Sequence, residues 1–437
     1  MKAKIFVLTL FIISSVFAQS EILFYKDTLG NLSYKEVQKK PFQLLEKQIL
    51  EPHSNSVYWF KIPKDKSKPE SVFRILYERI RKADAYQASH KIKELSNQRF
   101  LSYQFSRKAD VYIKVAPKLH AYIPVTLNSA AEANIKENKH VLLNGFYYGF
   151  AFLVVIYNLF YYFIFKDDAF LYYALFLTSM SFGVFTMDGM LNFFNLNHTV
   201  NDVLMILNYI FLAFFSSKFT NNYLFLELYY PKIKRLSYVL GICIVISGVL
   251  YLVIDNYYYL LILNLLVFLL LFIYWLCSVL LFRKNMYTKI LAIAYIIILF
   301  SAIDFFVLKF LGISLININS TNIKIGAFSE MIILSIAVLY RMKTLRDEND
   351  VMRKEIVEYS EELSQLKIEN EDRTFSRIDQ LSLRERQIFD LIVQLKSNKE
   401  IATILNVSIN TVKFHVKNIY EKLSIRSRKE ALSLQKI

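Results

Sequence analysis

Cysteine is almost missing from this chain. The two that occur, Cys243 and Cys277, lie inside long apolar runs. No disulfide can staple the rest of the chain, and no metal site can be built from thiolates. Proline does not occur in any of those runs, and glycine is scarce there. Paired broken helices with Gly or Pro near mid-membrane, the mark of a transporter, are therefore not written here. Residues 19–140 show no nucleophile elbow and no His/Asp/Glu cluster at metal-ligand spacing, and no receiver domain, histidine kinase or nucleotide-binding loop stands between the last apolar run and the C-terminal tail. An enzyme is not expected, and neither is a cofactor or a metal.

Apolar sequence is what the chain has in abundance: 55% of residues are hydrophobic and 16% aromatic. From about Leu142 to Tyr340 it falls into seven runs, near 142–165, 169–187, 203–219, 236–254, 257–282, 289–310 and 321–340. Each has the ~17–25 residues needed to cross a bilayer core as a helix. Lys218, Lys232, Lys234 and Arg235 cluster around the break after the third run, and Arg283, Lys284 and Lys289 around the break after the fifth. Arg341, Lys343 and Arg346 follow the seventh, whereas 188–202, 255–256 and 311–320 hold no Lys or Arg. Basic loops stay in the cytoplasm. The pattern predicts a periplasmic N-terminus, a cytoplasmic C-terminus and an inner-membrane location.

Residues 1–18 have the layout of a secretory leader. Lys2 and Lys4 start it, Ile5 to Ile13 form a short apolar core, and Val16-Phe17-Ala18 a cleavage site. Residues 19–140 show period-two alternation in 56–62, 71–80, 109–115 and 120–127, which predicts a β-sandwich. In the second run Phe73, Ile75 and Tyr77 share one face, with Arg74, Leu76 and Glu78 on the other. Trp59 reads as a core residue, with stacking on a sugar ring as the alternative. This region is expected to bind an unidentified periplasmic ligand, a carbohydrate being one candidate.

Ionisable residues inside membrane runs invite a functional reading. Asp304 lies in the sixth run and Glu330 midway along the seventh, with Lys309 and Lys324 toward the outer ends. Asp304 and Lys324 sit at matching depths, which suggests an ion pair, while Glu330 has no evident partner. Whether these groups signal or only stabilise the bundle is open at this point.

The seventh run passes into a charged segment without Pro or Gly. Leu345, Met352, Tyr359 and Leu366 recur every seven residues, as do Met342, Asn349, Ile356, Leu363 and Asn370. These d and a series predict a coiled coil over 341–375, with Asn349, Ile356 and Leu363 in the seam of a homodimer.

Residues 376–437 carry the sharpest pattern. Ser382-Leu-Arg-Glu385, Ser397-Asn-Lys-Glu400 and Ser427-Arg-Lys-Glu430 are capping boxes, and Ser408 caps a further helix. On the helix predicted over 409–423, Ile409, Val412, Val416, Ile419 and Leu423 form the core stripe. Asn410, Lys413, Phe414 and Lys417 fall on the opposite face. Cations, an amide and an aromatic together on one exposed helix face suit a DNA major groove. Twelve basic residues against six acidic in 376–437 agree with a nucleic-acid partner.

Two family resemblances follow from these motifs. Leu142-Leu143-Asn144-Gly145-Phe146-Tyr147-Tyr148-Gly149, Ala174-Leu175-Phe176 and Asp188-Gly189 resemble the bacterial seven-transmembrane receptors with diverse intracellular signalling modules. Val57-Tyr58-Trp59-Phe60 is similar to the jelly-roll-type sensor domain of those receptors. The tail resembles the LuxR-type helix-turn-helix, through Leu381-Ser382-Leu383-Arg384-Glu385, Ser397-Asn398-Lys399-Glu400-Ile401-Ala402 and Thr411-Val412-Lys413-Phe414-His415-Val416-Lys417. That resemblance implies that Lys413, Phe414 and Lys417 enter the groove while Asn410 and Thr411 meet bases or phosphate. It also implies glycine where this chain has Leu395, so the turn there is expected to be built differently. The combined expectation is a multi-domain membrane protein: periplasmic β-sandwich, seven-helix transmembrane bundle, coiled-coil helix and small all-α helix-turn-helix domain. It would act as a one-component receptor and transcriptional regulator. A transporter or channel with a regulatory tail, and a scaffold with a protein-binding tail, are the alternatives.

Overall fold

The computed structural model describes residues 21–52, 56–67, 70–117, 121–313 and 320–433. The leader expected over 1–18 lies outside them. The chain divides into two compact units, Met1–Met342 and Lys343–Ile437, and each is taken by itself.

The first unit begins with eleven strands among the described residues. They are β1 (Leu23–Asp27), β2 (Gln43–Leu44), β3 (Ile49–Glu51), β4 (Val57–Ile62), β5 (Glu70–Ile75), β6 (Ala83–Gln87), β7 (His90–Ile92), β8 (Ser102–Ser106), β9 (Val111–Val115), β10 (Ala121–Ile123) and β11 (Val125–Ser129). A short helix, α1 (Tyr34–Val37), follows β1. The sheets run β2-β1-β4-β9-β6-β7, β11-β5-β8 and β10-β3, with antiparallel pairing throughout. Strand alternation sorts β4 cleanly. Tyr58, Phe60 and Ile62 enter the core between the sheets, with Phe73, Ile75, Ile113 and Val115. Val57 and Trp59 point the other way, into a second cluster with Val37 and Tyr112. Trp59 is 1% exposed, and Lys114 Nζ lies 5.5 Å from its ring centroid, so the ring is core and not open to a sugar.

The run 71–80 does not stay a strand. β5 ends at Ile75, and the Tyr77 amide turns back to the Ile75 carbonyl. Arg74 is buried on the second face of β5 through Ser102, Gln98 and Glu137, so the simple alternation of apolar and solvated faces fails there. Residues 78–82 form a charged turn instead of a strand end.

The bundle is built from α2 (Ala130–Phe165), α3 (Asp168–Met187), α4 (His198–Leu224), the short α5 (Leu226–Tyr229), α6 (Pro231–Ile254), α7 (Tyr257–Leu280), α8 (Met286–Ala302) and α9 (Ser320–Asp379). Six of them, α2, α3, α4, α6, α7 and α9, contain stretches long and apolar enough to cross a membrane. α8 is shorter and continues as a π-helical stretch, Ile303–Leu308, and a 3-10 turn, Lys309–Leu311. Phe146, Phe152, Phe160 and Phe163 stand outward on α2, as a lipid-facing surface requires. Inside, three buried tyrosine hydroxyls are matched. Tyr173 donates to the Met331 carbonyl (3.1 Å), Tyr223 to the Tyr287 carbonyl (3.1 Å), and Tyr295 pairs with Thr220 (3.0 Å). Each such bond spares a polar atom burial without a partner.

The second unit contains α10 (Leu383–Val393), α11 (Asn398–Ile404), α12 (Ile409–Leu423) and α13 (Arg428–Ser433). Ile388, Phe389, Ile392, Ile401, Val412, Ile419 and Leu423 form their common core. In the part of α9 that belongs to this unit, Met352, Ile356, Tyr359, Leu363 and Leu366 are all exposed in the single chain.

Candidate functional site

Serine caps position the small helical unit. Glu385 N–H donates to Ser382 Oγ and the Ser382 amide donates to Glu385 (2.9 Å). The same reciprocal pair forms between Ser397 and Glu400. The third box is altered: Glu430 N–H still donates to Ser427 Oγ, but the Glu430 carboxylate accepts from the Arg426 amide. Ser408 Oγ accepts from the Thr411 amide at 3.1 Å and fixes the start of α12.

The turn between α11 and α12 is held from two sides. Asn406 takes a left-handed conformation (φ 51°), and the Val407 amide closes onto the Ala402 carbonyl at 3.0 Å. Arg384 Nη2 donates to the Leu405 carbonyl at 3.0 Å. At the far end of α12, Lys422 Nζ meets Glu385 at 2.6 Å. The Lys422 ammonium and the Ser382 amide together hold the Glu385 carboxyl down at about 2. α12 is thus pinned to α10 at its beginning and its end.

The exposed face of α12 carries every residue expected to reach nucleic acid. Asn410, Thr411, Lys413, Phe414 and Lys417 are all exposed, and Phe414 is 61% exposed. Its ring stands in water on the side of the helix opposite the buried stripe. Lys417 lies 3.8 Å from Glu421, a weak exposed pair that a phosphate can displace. Ile409, expected in the stripe, is 41% exposed. It occupies the first turn, where the helix has not yet met its neighbours.

Leu395 corrects a further expectation. It does take the left-handed conformation, at φ 64°. Its amide donates to the Ile392 carbonyl and the Lys396 amide to the Leu391 carbonyl, both at 3.0 Å. The turn is therefore built as a glycine would build it, with a leucine bearing the strain.

Residues 379–434 match the family of bacterial regulatory proteins, luxR family. GerE of Bacillus subtilis, a spore germination protein, is 39% identical over 61 residues, which are 14% of this chain and 82% of GerE. The chain belongs to the luxR family of bacterial regulatory proteins. The nitrate/nitrite response regulator NarL of Escherichia coli is 44% identical over 62 residues, 14% of this chain and 29% of NarL. The transcriptional regulator MalT of Vibrio cholerae is 45% identical over 56 residues, 13% of this chain and 6% of MalT. Here the luxR-family unit is joined to something else. Residues 140–341 match the family described as 7TM diverse intracellular signalling, and the chain is an integral membrane protein.

In that membrane unit Lys324 has partners that the sequence reading did not name. Lys324 Nζ contacts both carboxylate oxygens of Asp188 at 3.0 Å and Asn144 Oδ1 at 2.5 Å. The expected pairing with Asp304 falls on a side chain outside the described residues. Depth counted along two helices does not reveal Asp188, which stands at the end of α3. Tyr148 donates to Asp188 Oδ2 (2.6 Å), and Arg99 Nη1 donates to the Asp188 carbonyl (3.0 Å). Arg99 and Arg74 both bind Glu137, near the start of α2. Gly189 makes this approach possible. At φ 70°, a Cβ there would stand 2.3 Å from the Arg99 carbonyl oxygen. Lys309 is 1% exposed and packs over Tyr122, 4.4 Å from the ring centroid. Glu330 is also 1% exposed, and neither carboxyl oxygen has a hydrogen-bond partner in the structure. Arg99 and Glu137 escaped the sequence reading. Neither lies in a run or motif that the sequence singles out.

Proposed function

We propose that this chain is a one-piece membrane receptor and transcription factor. Residues 19–140 act as a periplasmic sensor behind a leader at 1–18, 141–340 as the membrane domain, 341–375 as a dimeric coupling helix and 376–437 as the DNA-binding output. The single observation that carries the proposal is α9. It starts in the bundle at Ser320 and ends at Asp379, and only Gln380 and Leu381 separate it from the Ser382 cap of the luxR-family helices. No phosphorelay module has room between them.

The mechanism follows from what α9 touches. Near its beginning Lys324 holds Asp188, and through it Arg99 and Arg74 of the sheet domain. Further on, Arg341 donates to the Tyr223 and Asn222 carbonyls (2.9 and 3.0 Å) and pairs with Asp167. A ligand that shifts the sheet domain against the bundle would shift α9, and α9 would change the pairing of two DNA-binding units. Two linked units bind a two-part site far more tightly than one, because the second contact is intramolecular.

Two measurements test this reading. Fluorescent fusions that report only from the cytoplasm are expected to light up after Ile437 and stay dark after Asn128. Genome-wide occupancy of the intact protein is expected to resolve discrete sites that vanish without residues 376–437. The reversed fusion pattern, or no occupancy, removes the proposal.

A further inference from the structure

A cavity of about 800 Å³ opens where the charged turn after β5 meets the bundle. This is within the range of roughly 300–1,000 Å³ typical of small-molecule sites. Its deep walls are apolar and deformable, with Met180, Met187 and Met205 among them. Methionine walls adapt to the shape of an apolar guest.

Polar side chains interrupt that lining, among them Asn201 and Asn208 on α4 and Asn264 on α7. Asn264 stands in the run Leu260-Leu261-Ile262-Leu263-Asn264-Leu265-Leu266-Val267, 3% exposed. Neither its carboxamide oxygen nor its nitrogen has a partner. The Asn201 oxygen, in a residue 6% exposed, is in the same condition. A buried amide without a partner is costly, and most buried polar groups are matched. An amide that can give and take a hydrogen bond, aimed into a cavity, is a recognition group awaiting its counterpart.

Four of the rim charges, Glu78, Arg79, Arg81 and Asp202, are engaged with one another or with neighbours. Arg81 Nη2 meets Asp202 at 3.4 Å and Arg81 Nη1 the His198 carbonyl at 3.2 Å. Arg79 lies 3.5 Å from Glu78 and donates to the Tyr209 hydroxyl at 3.3 Å. A ligand entering with a full charge would compete with these pairs, whereas a neutral one need not.

We propose that this cavity binds an uncharged amphiphile, an apolar body carrying one amide or hydroxyl group that pairs with Asn264. It is the input site of the receptor reading given above and rests on it for its purpose, though not for its existence. Occupancy would wedge the turn bearing Arg79 and Arg81 against α4 and α7.

The test is equilibrium binding of labelled decanamide to the full-length protein in lipid nanodiscs, with decane and decanoate as competitors. Saturable binding of one decanamide per chain is expected, displaced poorly by decane and by decanoate. Asn264→Leu should weaken decanamide at least about tenfold, the size of one lost hydrogen bond, and leave the thermal midpoint unchanged or raised. A purely structural asparagine would lower the midpoint on that change. Met205→Trp, which fills the cavity, should abolish binding of decanamide. Absence of saturable binding, equal binding by the Asn264→Leu protein, or decanoate competing as well as decanamide would each overturn the proposal. Binding is read without DNA, so its failure is distinct from failure of the regulatory reading.

Discussion

Lys324 Nζ lies 3.0 Å from both carboxylate oxygens of Asp188, across 136 residues of chain. The pair is enclosed, with the Asp188 side chain 1% exposed and that of Lys324 11%. It joins the end of α3 to the first turns of α9. Removing one partner leaves the other charge buried and alone, which costs ~3–5 kcal/mol. Asp188→Asn and Lys324→Met are each expected to lower the thermal midpoint of the purified protein clearly. The double variant should recover most of that loss. Additive losses in the double variant would mean that the two groups do not depend on each other.

The exposed lysines of α12 are expected to set the affinity for DNA. Lys413→Ala and Lys417→Ala in residues 376–437 should each weaken binding and reduce the slope of log affinity against log salt by about one. Titration at several salt concentrations measures both. An unchanged slope would remove these lysines from the phosphate contact.

Ile356 and Leu363 are 67% and 61% exposed in the single chain, and a second copy is the partner expected to cover them. Aspartate at both positions should abolish dimerisation through the helix and lower DNA occupancy of the full-length protein, without changing the fold of 376–437. Crosslinking and occupancy mapping read the two effects separately.

Glu385 gives the small helical unit a defined acid sensitivity. Its carboxyl sits at about 2 in the folded state against an ordinary value of 4.5. A depressed folded value means the contribution is complete above the ordinary value and disappears as pH falls through the folded one. Stability of residues 376–437 should therefore decline between about pH 4.5 and pH 2. Glu385→Gln should flatten that decline, as followed by denaturant titration at a series of pH values. An equally steep decline in the variant would exclude Glu385 as its source.

Leu395 is 71% exposed at φ 64°. It packs little and pays backbone strain of the order of 1 kcal/mol. Leu395→Gly is expected to stabilise residues 376–437 by about 0.5–1 kcal/mol. A loss of stability would show that the leucine contributes contacts that outweigh its conformation.

The features legible in sequence are those fixed by near neighbours. The Ser382–Glu385 and Ser397–Glu400 boxes close over three residues, so local chemistry determines them. The buried stripe of α12 follows from helical spacing, except at Ile409, where exposure depends on what lies beside the first turn. β5 ends early because the residues after Ile75 turn to meet α4, a contact 130 residues away. Asp188 was visible as part of a motif, yet nothing in its neighbourhood announces Lys324. Spacing along one helix says which residues share a face; it does not say what that face meets.

α9 has one further property. A continuous α-helix fixes each residue in angle and height relative to every other, about 100° and 1.5 Å per residue. One residue inserted between Met342 and Asn349 would turn the rest of the helix through that angle and put the expected seam at Ile356 and Leu363 out of phase with Met342. Seven inserted residues would nearly restore the phase while lengthening the helix by about 10 Å. A coupling role for the helix predicts that a ladder of insertions shows a period of about 3.6 residues.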